Sequence, residues 1–234
     1  MDFNTYRYDQ AYTYSFLGTP NLGLAHSHIA ASPIGSRITF IQDDPTHYLN
    51  HSSDTFTHVV FCHCIWYFAA PSLLPPMLKL ALLRSPSLLI TEYSMGTSLP
   101  AAMPHILTAI TLSVLETCLP ESSRSNIKNA STPKQIRGMA ESAGWKVEEE
   151  HFIVPHEAQR DGYREAAMLG MRRVGTAMGA VDGEARKRML EGLRDAVDIS
   201  VNKIDGGLEK VRNMDVWVAS FSRAEERLLA DKSV

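Results

Sequence analysis

Residues 56–68 read FTHVVFCHCIWYF, an apolar run that ends in His, Cys, Trp and Tyr, and this stretch decides the fold. Residues 87–94, SLLITEYS, repeat the arrangement, because a short apolar strand is again followed by polar groups. Near-continuous apolar strands of this kind are typical of parallel strands that are buried on both faces. In an open α/β sheet, ligands bind outside the carboxyl ends of such strands. The pattern therefore predicts an α/β sheet with a ligand site beside these two strand ends.

Further strands extend this sheet on both sides. RITFIQ (37–42) is β-branched and apolar, and WKVEEEHFIV (145–154) and VRNMDVWVASF (211–221) alternate as strands do. The stretch between the last two strands is too long for a hairpin loop, so residues 157–207 are predicted to form a helical insertion or cap. Residues 1–19 show no helical period and are predicted to form an irregular arm. The predicted fold is a doubly wound, mostly parallel, Rossmann-like sheet whose last strand is antiparallel.

The composition is that of an ordinary water-soluble chain. Its 234 residues, treated as a single domain, are 44% hydrophobic and 21% charged, with a net charge of −3. This balance gives no electrostatic footprint for nucleic acid or an anionic membrane. No apolar run reaches the roughly 18 residues of a membrane span, and the first residues do not form a secretory signal. Three cysteines argue against a disulfide framework, so we expect a cytoplasmic location.

The sequence Cys62-His63-Cys64 suggests a metal site at first sight, since thiolates and imidazole are zinc ligands. Adjacent side chains of a strand point to opposite faces, however, so His63 would face away from both cysteines. We therefore predict no metal site. The cysteines are interpreted as small packing residues at the strand end. His63 is interpreted either as a group that faces the ligand or as the partner of a backbone carbonyl.

Other polar and aromatic residues at strand ends have two interpretations each. Asp43 and Asp44 could accept hydrogen bonds from an amine or a ribose hydroxyl, but Asp-Asp-Pro is also good turn chemistry without a ligand. Trp66 and Tyr67 could line a pocket or pack against the next helix. The chain contains no G-x-S-x-G, no phosphate-binding loop, no H-E-x-x-H and no G-x-G-x-x-G. A sheet without a nucleophile motif favours an enzyme that positions a cofactor or substrate over a hydrolase.

The order of these segments resembles the class I S-adenosylmethionine-dependent methyltransferases, most closely the small-molecule type that is common in filamentous fungi. The series includes STPKQIRGMAESAGWKVEEE (131–150) and a terminal MDVWVASF (214–221), and the resemblance covers residues 20–222. It implies an enzyme of secondary metabolism that transfers a methyl group from S-adenosylmethionine to a small-molecule substrate.

The resemblance also assigns roles to individual residues. Residues implied to contact the cofactor are Asp2, Asp43, Asp44, Cys62 and His63, with Asp43 at the adenine amino group and Asp2 as a remnant of the acid that binds the ribose. The implied catalytic residues are His63, Glu92 and His105, any of which could serve as a general base where the nucleophile needs one. The implied substrate-binding residues are Trp66, Tyr67 and Tyr93.

The chain departs from the family pattern at its beginning. The family's first strand and its glycine-rich E-x-G-x-G loop are absent, which predicts an N-terminally truncated sheet. We expect RITFIQ to pair directly with THVVFCHC in a five-stranded sheet. An open sheet edge would otherwise favour a homodimer or a partner chain. The alternatives to methyl transfer are a non-catalytic binding protein and an enzyme that reuses the pocket without the cofactor.

Overall fold

A computed structural model describes residues 3–6, 22–119 and 127–224. Contacts between residues divide the chain into two compact units, Met1–Thr55 and Phe56–Val234. The strands are β1 (Phe3–Tyr6), β2 (Ile38–Ile41), β3 (Val59–Cys62), β4 (Ser87–Tyr93), β5 (Trp145–Ile153) and β6 (Val216–Arg223). The α-helices are α1 (Leu22–Ala30), α2 (Pro45–His51), α3 (Leu74–Arg84), α4 (Met103–Thr117), α5 (Pro133–Ser142), α6 (Asp161–Leu169), α7 (Arg172–Gly179) and α8 (Glu184–Asn202). In this part of the chain, no helix combines the length and the apolar character that crossing a bilayer requires.

The first unit contains a two-stranded parallel sheet. Strand β1 pairs with β2, so that Phe3 lies opposite Ile38 and Tyr6 lies opposite Ile41. The expected pairing of RITFIQ with THVVFCHC is therefore wrong, and part of the predicted irregular arm is a strand. Phe, Thr and Tyr in FNTY all favour extended backbone, although this run is too short to show a period.

Helix α2 was not expected from the sequence. Asp44 has extended backbone and its side chain accepts hydrogen bonds from the backbone N–H groups of Thr46 and His47. Pro45 occupies the first helical position, where a missing N–H has no cost. Asp-Asp-Pro therefore begins a helix. As in the predicted turn, its role is to shape the local backbone.

The second unit is built on a four-stranded sheet in the order β3-β4-β6-β5. Strands β3 and β4 are parallel, with Val59 opposite Leu88 and Cys62 opposite Thr91. Strand β6 is antiparallel to both β4 and β5. The predicted α/β class and the antiparallel last strand are thus confirmed.

One hydrophobic core fills the space between this sheet and helices α3 and α5. Its largest members include Trp145, Trp217 and Phe221, each almost fully buried. The Trp145 indole N–H donates to the Leu78 carbonyl at 3.0 Å, so this buried polar atom is satisfied. Helix α5 begins at a side-chain cap, because Thr132 forms a capping box with Gln135.

A second hydrophobic cluster joins α4 to the helices of residues 161–202. Leu112, Leu190 and Val197 are among its buried members. Residues 157–207, which the sequence predicts to be helical, contain α6, α7 and α8. The break between the first two follows Gly170, which has a low helix propensity and ends α6.

Candidate functional site

The carboxyl ends of β3 and β4 lie side by side, because the two strands are parallel neighbours. The His63 N–H donates to the Thr91 carbonyl at 2.8 Å, which carries the pairing one residue past β3. His63 has a φ of 46°, in the left-handed region that residues with a side chain rarely adopt. Strained backbone of this kind concentrates at functional sites. The chain thus turns sharply where sequence reasoning places a ligand group.

Glu92 is the buried carboxylate of this strand end. One oxygen, Oε2, accepts from the N–H groups of Ile65 at 3.0 Å and Trp66 at 3.4 Å, and Oε1 accepts from the N–H of Tyr93 at 3.0 Å. The Nδ1 atom of His63 lies 3.4 Å from Oε1. Two of these three backbone donors belong to the segment after β3, so the carboxylate holds that segment against the end of β4.

The two aromatic residues after β3 have different surroundings. Trp66 is buried, and its indole N–H donates to the Ser131 carbonyl at 3.0 Å. Tyr67 exposes 54% of its surface. Asn129 fixes this segment by donating to the carbonyls of Ile65 at 3.2 Å and Phe68 at 3.0 Å. Trp66 is therefore held by structural contacts, while Tyr67 faces solvent.

Tyr93 lies at the centre of an aromatic group. The rings of His63, His105 and Trp66 have their centres 4.6, 4.8 and 5.5 Å from the Tyr93 ring. The Tyr93 hydroxyl donates to Asp161 Oδ2 at 2.9 Å. Burial, followed by the nearby Asp161 carboxylate, raises the pKa of Tyr93 far above its usual range. Tyr93 is thus a neutral hydrogen-bond donor.

His105, a residue of α4, is completely buried. The N–H of Met214 donates to His105 Nδ1 at 3.0 Å. A backbone N–H can only donate, so Nδ1 is the acceptor and the ring proton is assigned to Nε2. Nε2 lies 3.0 Å from Oε2 of Glu165, but the two atoms do not form a well-directed hydrogen bond.

Sequence reasoning missed three residues of this site, namely Asp161, Glu165 and Asn213. Asn213 accepts from the N–H of Gly162 at 2.7 Å and lies 3.5 Å from the Tyr93 hydroxyl. The spacing of Asp161 and Glu165, four apart in a helix, shows that they share a helix face. Nothing in that spacing shows that the face meets Tyr93, since the contact spans 68 residues of chain.

The predicted cofactor residues near the N-terminus lie in the other compact unit. Asp44 caps α2, and Asp43 contacts the His47 ring at 2.9 Å. The hydrogen bond from His47 lowers the pKa of Asp43. Asp2 lies outside the described residues. For all three residues, the role toward a cofactor stays a prediction.

Cys62 is the last residue of β3 and Cys64 follows it, and the two thiols differ in their exposure to solvent. Cys64 packs against the first core, and burial raises its pKa to about 12. Cys62 is exposed, so its interpretation as a packing residue is wrong. Partial desolvation, with Glu92 nearby, raises its pKa as well. Among residues 3–6, 22–119 and 127–224, no three His, Cys, Asp or Glu side chains are grouped as metal ligands.

The chain is similar to known proteins in its sequence and in its fold. No family model matches the chain. Two fungal proteins from Diaporthe leptostromiformis, named methyltransferase phomM and methyltransferase phomM′, are each 28% identical over an alignment of 243 positions that covers 88% of this chain. The chain spans 62% of the length of either relative.

Solved structures share the fold. A cyclopropane-fatty-acyl-phospholipid synthase-like protein from Lactobacillus casei is 17% identical with a TM-score of 0.70, over 92% of this chain and 72% of the other. A candidate methyltransferase from Bacillus halodurans is 10% identical with a TM-score of 0.50, over 94% and 81% of the two chains. The chain is thus similar in sequence to two proteins named methyltransferase and in fold to a candidate methyltransferase, and both similarities agree with the resemblance to the class I S-adenosylmethionine-dependent methyltransferases.

Proposed function

We propose that the chain serves methyl transfer from S-adenosylmethionine to a small molecule. The observation that carries the proposal is the meeting of His63, Glu92 and Tyr93 at two adjoining strand ends, beneath a helical layer that contributes Asp161 and Glu165. Ligands of α/β sheets bind at such strand ends. The similarity to two proteins named methyltransferase supports the reaction type.

The residues at this strand end fit the cofactor in part. The Nδ1 atom of His63 is buried without a well-directed hydrogen bond, and the side chain as a whole remains 36% exposed. A polar group of a ligand would satisfy this atom. In the other compact unit, Asp44 Oδ1 accepts from two backbone N–H groups. The contacts of His63 therefore support a polar part of the cofactor beside the ends of β3 and β4.

The protein's own contribution would be to position the reactants and to exclude water. When bound, S-adenosylmethionine supplies a methyl group on a positively charged sulfur. Glu92 uses its oxygens to hold backbone N–H groups, and His105 uses Nδ1 in the same way, so we assign both to orientation rather than proton transfer. His63 and Tyr67 are accessible and remain the proposed ligand contacts from β3. Proximity and orientation of this kind supply much of the rate in transfer reactions.

Calorimetric titration with S-adenosylmethionine and S-adenosylhomocysteine tests the proposal. We expect saturable binding of both compounds, and weaker binding by His63→Ala. His58→Ala is the matched control, because His58 is an exposed histidine before the amino end of the same strand. Absence of binding by protein that circular dichroism shows to be folded would contradict the proposal. Equal loss in both variants would contradict the role of His63.

A second candidate function is binding without turnover. The contacts of Glu92 and His105 favour it, since both implied bases already accept from backbone N–H groups. Incubation with S-adenosylmethionine and analysis for S-adenosylhomocysteine distinguishes the two functions. Binding of S-adenosylmethionine without formation of S-adenosylhomocysteine indicates a non-catalytic protein. Conversion of a substrate in the absence of S-adenosylmethionine would indicate an enzyme that reuses the pocket.

Strand β3 is the end strand of its sheet, and its edge is where we expect a partner chain to bind. Within the described residues β3 pairs only with β4, and Val60 exposes 55% of its surface. An apolar edge with unpaired backbone groups favours association. We therefore keep a homodimer or a partner strand as a proposal, which light scattering of the purified chain tests by its mass. The cytoplasmic location and a place in secondary metabolism also stay predictions.

A further inference from the structure

Helix α2 of the first unit carries two histidines one turn apart, His47 and His51. Side chains four residues apart in an α-helix are neighbours on one face. The centres of the two imidazole rings are 4.2 Å apart, and the ring planes are tilted by 31°. The His47 side chain is 60% exposed, and His51 is exposed as well. Two imidazoles therefore lie side by side where solvent and its ions can reach them.

The same nitrogen is occupied in both rings. His47 Nδ1 lies 2.9 Å from Asp43 Oδ2, and His51 Nδ1 lies 2.8 Å from the His47 carbonyl oxygen. An ionised carboxylate and a carbonyl can only accept, so Nδ1–H is the donor in each ring. When the rings are neutral, both Nε2 atoms are thus left with a lone pair. In the described part of the chain, the hydrogen bonds of the two rings all use Nδ1.

These hydrogen bonds have the pattern of metal-binding histidines. A histidine that binds a metal usually donates its other ring N–H to a carboxylate or a backbone carbonyl, which fixes the tautomer and the ring orientation. His47 has the first kind of acceptor and His51 has the second. Metal–nitrogen bonds of about 2.0–2.1 Å reach from one ion to two nitrogens up to about 4 Å apart. Rings whose centres are 4.2 Å apart can therefore share one ion.

We propose that His47 and His51 chelate a divalent transition-metal ion through their Nε2 atoms, with Asp43 as a positioning residue. The proposal goes beyond methyl transfer and does not depend on it. The protein supplies two ligands and water completes the coordination, so the described side chains need no group of three ligands. Imidazole suits Zn²⁺, Ni²⁺ and Cu²⁺, whereas Mg²⁺ prefers oxygen ligands, so the site should discriminate between these two kinds of ion.

Calorimetric titration of the untagged chain with nickel chloride at pH 7 tests the proposal. We expect saturable binding that an equal concentration of Mg²⁺ does not reduce. Loss of an acceptor behind a ligand usually weakens metal binding by about 10–100-fold, so His47→Ala and His51→Ala should each weaken it by at least about tenfold. Asp43→Ala removes the acceptor of the His47 N–H and should weaken binding by about tenfold. Asp43→Asn keeps an acceptor oxygen and should restore most of the affinity.

His28→Ala is the matched control. His28 is an exposed histidine of α1, in the same unit, and the residues four positions away from it are Leu24 and Ser32 rather than histidine. This variant should bind Ni²⁺ as the unmodified chain does, and melting curves show whether each variant is folded. Absence of saturable Ni²⁺ binding, unchanged affinity in folded His47→Ala or His51→Ala, or an equal loss in His28→Ala would overturn the proposal.

Discussion

Replacement of Glu92 by glutamine should destabilise the second unit. The carboxylate is buried and accepts from the N–H groups of Ile65, Trp66 and Tyr93 at 3.0, 3.4 and 3.0 Å. A glutamine amide keeps one acceptor oxygen but directs an NH₂ group at the remaining donors. The variant thus leaves at least one buried N–H unsatisfied without changing the size of the side chain.

The magnitude follows from these contacts. An unsatisfied buried donor costs about 1–3 kcal/mol, and the exchange of charged for neutral hydrogen bonds at the others costs about 1 kcal/mol. Relief from burying a charge offsets part of this loss. The net decrease in the free energy of unfolding should be about 2 kcal/mol, and Tm should fall by about 4–8 °C for a chain of this size.

Urea unfolding and calorimetry at pH 7 measure both quantities. Glu141→Gln is the matched control, because Glu141 is an exposed residue of α5 whose contact with Arg137 is 4.0 Å long. Its free energy of unfolding should change by less than about 0.5 kcal/mol. A Glu92→Gln variant as stable as the unmodified chain would refute the assignment of Glu92 as the acceptor that holds the two strand ends together.

Three further predictions concern other parts of the second unit. Gly162→Ala should lower the free energy of unfolding in urea by about 2 kcal/mol, because its Cβ would lie 2.5 Å from the Arg212 carbonyl oxygen. Gly175→Ala is the control and should lower it by nothing, because the space at its Cβ is open. Equal effects of the two substitutions would contradict the close packing at Gly162. Trp66→Phe should cost about 1 kcal/mol, because the Ser131 carbonyl loses its donor, and an unchanged urea midpoint would show that the bond contributes nothing. Iodoacetamide at pH 8 should modify the exposed Cys62 before Cys64, because the pKa of Cys64 is raised to about 12 and this thiol supplies little thiolate at pH 8. Peptide mapping that finds Cys64 modified first would contradict this order.

Local sequence signals predicted much of the second unit. The segments 57–64 and 87–94 contain β3 and β4, and the alternation at 145–154 contains β5. The start of α5 is also a local feature, because its cap is a hydrogen-bonded pair, Thr132 and Gln135, that lies close in sequence. His63 and Glu92 followed from the rule that polar groups after parallel strands share one sheet edge, and the structure brings them within 3.4 Å.

Other features depend on contacts between distant residues. The sequence by itself determined the class of fold, most of its strands and helices and the edge of the sheet where polar groups collect, because hydrophobic period and caps act within a few residues. Only the tertiary structure decided that β2 pairs with β1, that Glu92 serves backbone donors and that α6 turns Asp161 and Glu165 toward Tyr93. Strand partners and facing helices are chosen by packing between segments far apart in the chain, and no short stretch of sequence records that choice.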